Sequence, residues 1–151
     1  LKGKKIAVNR GNLFDKWLSA RQDQYGWEIM RFGKNTEAVQ AVVTGRAFAN
    51  MAGDTVGGWT ASKNPQLSVA KVVIESGKKG GFAFRKNDVA LRNQFEDVIE
   101  CMKLDGTVAR IHEKWIGMPP LPTSSANVVY RGYGMPGFNG YDSSPHKISC
   151  N

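Results

Sequence analysis

Few residues in this 151-residue chain are suited to chemistry. Asn9-Arg10-Gly11-Asn12-Leu13 follows a short apolar run and precedes a stretch of helical period, and Asp15 stands three residues after Asn12 in the manner of an N-cap. A turn of this kind presents the free N–H groups and positive dipole end of a helix, which hold an anion without any special side chain. Gly11 lets the backbone approach closely, and Asn12 offers an amide that acts as a plain cap, as a ligand contact, or as both. Arg10 meets an acidic group or lies in solvent. Cys101 and Cys150 are too few for a disulfide scaffold and wrongly spaced for a zinc site or a CxxC motif. They pair with each other in an oxidising compartment or remain two thiols. A bond between them closes a loop of about 50 residues, contributes roughly 4 kcal/mol in the chain-entropy model, and fastens the C-terminal tail to a helix.

Other chemistry is thinly represented. His112 falls within a helical pattern and His146 in the tail, so neither is placed to serve as acid or base beside Gly11. No GxSxG elbow or metal-ligand spacing occurs, and Gly77-Lys78-Lys79-Gly80-Gly81 lacks the P-loop pattern. The expectation is therefore no catalytic residue, no cofactor and no metal.

The elements that must position these residues alternate. Lys5 to Asn9 reads as a strand, and Phe14, Trp17 and Leu18 give one helical face that Tyr25-Gly26 ends. Trp27 to Phe32 reads as a second strand. Thr36 is expected to cap a helix carrying Val39, Val42 and Val43, which Gly45 stops. Ala47 to Ala52 is a third strand, and Asp54-Thr55 opens a helix through Trp59 that ends near Asn64-Pro65. This β-α-β-α-β-α order argues for an α/β layer with mainly parallel strands, whose ligands sit beyond the carboxyl ends of the strands. Two further apolar runs, 69–74 and 81–85, flank the Gly77–Gly81 turn. From Asn87-Asp88 the pattern is helical: Leu91, Phe95, Val98, Ile99 and Met102 share a face ending at Asp105-Gly106, and Thr107 is expected to cap a helix with Val108, Ile111 and Trp115 inward. Trp59 and Trp115 are read as packing residues. The residues from Met118 are rich in Pro, Gly, Ser and Tyr without period and read as an irregular tail.

Composition narrows the partners. The net charge of +8 is uneven: residues 1–86 hold 15 Lys/Arg against 6 Asp/Glu, and residues 87–151 hold 6 against 7. The basic residues lie singly or in twos and threes, without aromatic platforms or a basic helix, so a solvated face is expected and not a nucleic-acid partner. No run of about eighteen apolar residues offers a membrane span, and Leu1-Lys2-Gly3-Lys4-Lys5 does not read as a signal peptide.

Four segments in order and at matching spacing resemble the type 2 periplasmic solute-binding proteins, specifically their polar amino acid group. They are Leu1-Lys2-Gly3-Lys4-Lys5-Ile6-Ala7-Val8 with Gly11, Glu37 to Arg46, Gly81-Phe82-Ala83-Phe84-Arg85-Lys86-Asn87-Asp88, and Asp105 to Gly117. The resemblance implies a periplasmic binding protein-like type II α/β lobe over residues 1–80, a return hinge and C-terminal helices of an incomplete first lobe over 81–117, and an irregular tail over 118–151. It implies a first lobe that begins ahead of Leu1, and a second chain or segment to cover the apolar faces of the returning helices. It further implies capture of a polar amino acid or similar small solute for an ABC importer in the periplasm, with the transporter's membrane subunits as partners. A receptor's ligand-sensing domain and a periplasmic dehydratase on the same fold are the alternatives. The solute's carboxylate would meet the Asn9–Leu13 turn, where Asn12 and Leu13 replace the family's Ser or Thr hydroxyls; the Thr36 turn would border the same cleft. The family's ammonium-binding Asp falls at Gly53 in register, with Asp54 displaced by one. Either a local shift brings the Asp54 carboxylate inward, or Asp54 caps the helix at Thr55.

Overall fold

A computed structural model describes residues 1–70, 74 and 80–150. The chain divides into two compact units, Leu1–Val73 and Ile74–Asn151.

The first unit runs β1 (Lys5–Asn9), α1 (Leu13–Ser19), α2 (Gln22–Tyr25), β2 (Glu28–Phe32), α3 (Asn35–Val43), β3 (Ala49–Met51) and α4 (Asp54–Lys63). Its sheet has the order β2-β1-β3 with both pairings parallel. Ile6, Ala7 and Val8 of the central strand are all buried, the continuous apolar run of a parallel strand covered on both faces. On one face Ile6 and Val8 pack with Leu18 and Trp27. On the other, Ala7 packs with Ala38, Ala41 and Ala47. Small residues there let α3 lie close to β1, so its fully buried positions are the two alanines, while Val39, Val42 and Val43 are half-buried.

Four local expectations are corrected. The first helix stops at Ser19; Arg21, at φ −124°, interrupts it, and a separate single turn, α2, ends at Gly26, whose φ of 66° suits glycine. Thr36 lies inside the first turn of α3, not at its cap, because the Glu37 carboxylate reaches back to the Gly33 and Lys34 N–H groups at 3.1 and 3.2 Å. The third strand is shorter than its apolar run, since the Ala47 N–H donates to the Ala41 carbonyl and not to the sheet. Trp59 is 48% exposed, so the packing expected of it is not made.

The second unit holds α5 (Val89–Leu104), α6 (Thr107–Ile116) and an irregular segment from Gly117 onward. Thr107 is the first residue of α6, not its cap: Gly106 occupies that position at φ 78°, and the Asp105 carboxylate accepts from the Thr107 N–H at 2.7 Å. The apolar run 81–85 is irregular, with Phe82 and Phe84 meeting Phe95 edge-on at 4.8 and 5.5 Å. Half of the 69–74 run and most of the Gly77–Gly81 turn lie outside the described residues. Ile111 and Trp115 are exposed, not inward, and so are Leu91, Phe95 and Val98 of α5. The tail covers the opposite, polar face of α5. Cys101 and Cys150 are joined in a disulfide, Gly134 N–H donates to both Glu96 carboxylate oxygens, and Lys103 Nζ donates to the Val128 carbonyl at 2.9 Å. Tyr133 and Asp142 form the one β-bridge of this segment among the described residues. Beside it, Gly132 at φ 82° is required, because a Cβ there would collide with the Asp142 carbonyl. Among the described residues no helix is long and apolar enough to cross a membrane.

Candidate functional site

Three parallel strands end side by side, and the segments leaving them hold most of the residues singled out by the sequence. After β1 come Arg10, Gly11 and Asn12; after β2, Gly33 and Lys34; after β3, Ala52 and Gly53. Arg10 N–H donates to the Phe32 carbonyl at 2.9 Å, which ties the first two of these turns together at their bases.

The Gly11 turn is internally braced. Gly11 adopts φ 74° with open space where a side chain would begin. Its N–H donates to Asp15 Oδ2 at 2.8 Å, while the Asp15 N–H donates to Asn12 Oδ1 at 2.9 Å. This reciprocal pair makes Asn12 the N-cap of α1 and leaves the N–H groups of Asn12, Leu13 and Phe14 without a partner among the described residues. Asp15 is buried and is also met by Arg31 Nε at 2.9 Å; Arg31 in turn donates to Ser19 Oγ at 2.8 Å. The Gly11 N–H, followed by the Arg31 guanidinium, holds the Asp15 carboxyl below the usual carboxylate range against the opposing effect of burial. Leu13 and Arg10 are exposed, and Asn9 is half-buried at the end of its strand.

Thr36 is exposed in the first turn of α3. Asn50 of β3 donates to the Ala7 carbonyl at 3.1 Å and to Asn35 Oδ1 at 3.3 Å, fixing the start of α3 against the sheet. Asp54 is the first residue of α4, exposed, with Oδ1 accepting from the Thr55 N–H at 2.8 Å; Gly53 is the cap before it. Gly11, Thr36 and Asp54 thus belong to the turns or first helical turns that follow the three strands. The braces Asp15–Arg31 and Asn50–Asn35 were not anticipated. Asp15 carried a signal only as a cap partner, and Arg31 and Asn50 looked like ordinary strand residues.

The model of the bacterial extracellular solute-binding proteins, family 3, matches residues 2–118. The chain belongs to that family. An L-arginine-binding protein of Pseudomonas aeruginosa is 33% identical to this family 3 chain over 126 residues, covering 76% of the chain and 47% of that protein. An L-cystine-binding protein of Escherichia coli is 31% identical over 119 residues, covering 78% of the chain and 43% of that protein. The chain therefore spans less than half the length of these curated relatives. Among solved structures, an ancestral cationic amino acid solute-binding protein superposes with a TM-score of 0.57 at 32% identity, covering 76% of this chain and 48% of its own. The second substrate-binding domain of an amino acid ABC transporter from Streptococcus pneumoniae shares the fold at 21% identity, with a TM-score of 0.59 over 77% of this chain and 53% of its own.

Proposed function

We propose that this chain is the solute-capturing part of a periplasmic binding protein that takes up a polar amino acid, or a small solute like one, and hands it to the membrane subunits of an ABC importer. In this reading residues 1–80 form the second, ligand-binding lobe, residues 81–117 carry the return hinge and helices of the first, and residues 118–151 are a tail laid over those helices. The observation that carries it is the Gly11 turn: in a chain of this family, an open glycine and a helix N-terminus with free N–H groups stand at the carboxyl end of the central parallel strand. A solute carboxylate there is met by main-chain donors, so replacing the family's hydroxyls with Asn12 and Leu13 removes side-chain contacts and leaves the dipole and N–H groups in place.

Binding without catalysis is supported by membership of the solute-binding family; the acids at this edge brace its turns. Asp15 is held by Gly11 N–H and Arg31, Glu37 by the Gly33 and Lys34 N–H groups, and Asp54 by the Thr55 N–H. Each of these carboxylates accepts an N–H that shapes a turn. Asp54 is the group assigned to the solute's ammonium, which requires its carboxylate to swing from Thr55 when the solute enters.

The test is a thermal-shift screen of the twenty amino acids and common polyamines against this chain and against a form carrying an N-terminal first lobe. A ligand at 100 times its Kd stabilises by about 2.7 kcal/mol. Asn12→Ala and Asp54→Ala are expected to weaken the hit; unchanged affinity in both would sink the assignment of this edge as the site.

A further inference from the structure

We propose that Asp97, Glu100 and His146 form a binding site for one divalent transition-metal ion of the zinc type, built where the tail meets α5. Asp97 and Glu100 are three residues apart on α5 and so project from one face. His146 comes from the tail, four residues before Cys150, whose disulfide to Cys101 is anchored on the next turn of the same helix. The Tyr133 ring stacks on the imidazole at 4.1 Å. One donor atom from each of the three residues lies within 4.8 Å of the other two.

Three features set this cluster apart from an ordinary surface ion pair. The first is burial: Glu100 is 1% exposed, and the His146 side chain 9%. The second is that Asp97 Oδ1, on a carboxylate that also faces the Tyr133 hydroxyl, is shielded from solvent without a hydrogen-bond partner and lies 3.5 Å from His146 Nε2; His146 Nδ1 is the other such atom among the described residues. Buried polar atoms are ordinarily satisfied, and an unpaired carboxylate oxygen beside an imidazole nitrogen is the arrangement a cation completes. The third is charge. Glu96 stands on the same helix, its carboxylate taken up by the Gly134 N–H, and Lys103 donates its ammonium to the Val128 carbonyl. A dication held by a neutral imidazole balances the two carboxylates Asp97 and Glu100.

The donor set selects the ion. An imidazole with two carboxylates suits zinc and its neighbours better than magnesium or calcium, which favour all-oxygen ligation. Metal–ligand bonds of about 2.0–2.1 Å in a tetrahedron place donors about 3.4 Å apart, close to the 3.5 Å between Asp97 Oδ1 and His146 Nε2. The 2.6 Å contact from His146 Nε2 to Glu100 Oε2 is a hydrogen bond that the metal replaces, with the carboxylate oxygen withdrawing by about 1 Å. The Asp97 side chain, 36% exposed, marks the way in, and the fourth position is left to water.

The experiment is a calorimetric titration of the intact, disulfide-bonded chain with Zn2+ alone, paired with the visible spectrum of the Co2+ form. The expected result is one saturable Zn2+ site, a rise in melting temperature with Zn2+, Co2+ bands of a four-coordinate site, and no comparable response to Mg2+. His146→Ala and Asp97→Asn should each weaken Zn2+ binding by about 100-fold or more and abolish the Co2+ bands, while His112→Ala leaves both unchanged. Because His146→Ala also removes a tail contact, Asp97→Asn decides: it keeps the side-chain shape and the Glu100–His146 bond. Unaltered Zn2+ affinity in Asp97→Asn, or no saturable site in the parent chain, overturns the proposal. Neither result depends on which solute the first unit takes.

Discussion

The first unit buries its apolar residues and leaves its polar turns at the edge of a sheet; the second buries polar residues and leaves apolar ones outside. In the first, Ile6, Ala7, Val8, Leu18 and Trp27 are all at most 5% exposed. In the second, the side chain most deeply buried is Glu100, while Leu91, Val98, Ile111 and Trp115 each show more than 40% of their surface. The hydrophobic effect accounts for the first arrangement directly. The second rests on a covalent tie, a few charge-assisted hydrogen bonds and Phe82 and Phe84 against Phe95, so stability there comes from the tail and not from a core.

This contrast breaks most readily at the disulfide. Cys101→Ser with Cys150→Ser is expected to destabilise the second unit by about 4 kcal/mol, the chain-entropy value for a loop of this length. Limited proteolysis of the tail reports that loss, while the fluorescence of Trp17 and Trp27 in the first unit should stay unchanged. Leu18→Ala does the reverse: it empties a site beside Val8 and Trp27 and should cost the first unit about 3 kcal/mol in urea denaturation, with the tail's protease resistance retained.

Asp15 sharpens the comparison through pH. Its carboxyl is held low in the folded chain, so the folded state binds that proton less readily than the unfolded one. The stability it contributes is present above the unfolded carboxyl's ordinary value of about 3.9 and is lost as pH falls through the lowered folded value. Asp15→Asn should cost about 2 kcal/mol at neutral pH and flatten the acid limb of the first unit's stability profile. Asn12→Ala, which removes only the cap to Asp15 N–H, should cost about 1 kcal/mol. The smallest effect is expected at Val98, 59% exposed on the open face of α5: Val98→Ser should change stability by no more than about 0.5 kcal/mol, and a large loss would mean that this face is covered in solution.

The alternation of strands and helices in the first unit was legible because apolar runs such as Ile6-Ala7-Val8 and the stops at Gly26 and Gly45 act locally. Cap assignments were less so. Thr36 and Thr107 are good caps by type, but Glu37 bonds back to the Gly33 and Lys34 N–H groups and Asp105 to the Thr107 N–H, so each helix starts earlier than its threonine would set it, and sequence does not rank such neighbours. Helical period identified the apolar stripe of α5, and the resemblance, not the period, carried the expectation that the faces of these helices would lie open. That outcome depends on where the tail is drawn by Cys150, a constraint reaching across 49 residues. For the same reason the pairing of His146 with Asp97 and Glu100 was out of reach: spacing relates two of the three, and only the fold supplies the third. At the candidate solute site the Gly11 turn stood out by residue type, whereas its brace to Arg31 needed the register of β1 against β2.

That register also has a consequence for assembly. β1 is the central strand of its sheet, yet both of its neighbours follow it in the chain, the nearer beginning at Glu28 and the other at Ala49. A ribosome making this segment therefore releases its most hydrophobic strand first and must extend it by more than forty residues before both edges are paired. Non-local pairing of this kind is slow relative to helix formation. Ile6, Ala7 and Val8 consequently stay unsatisfied through that interval, the stretch of synthesis in which a chaperone has most to shield.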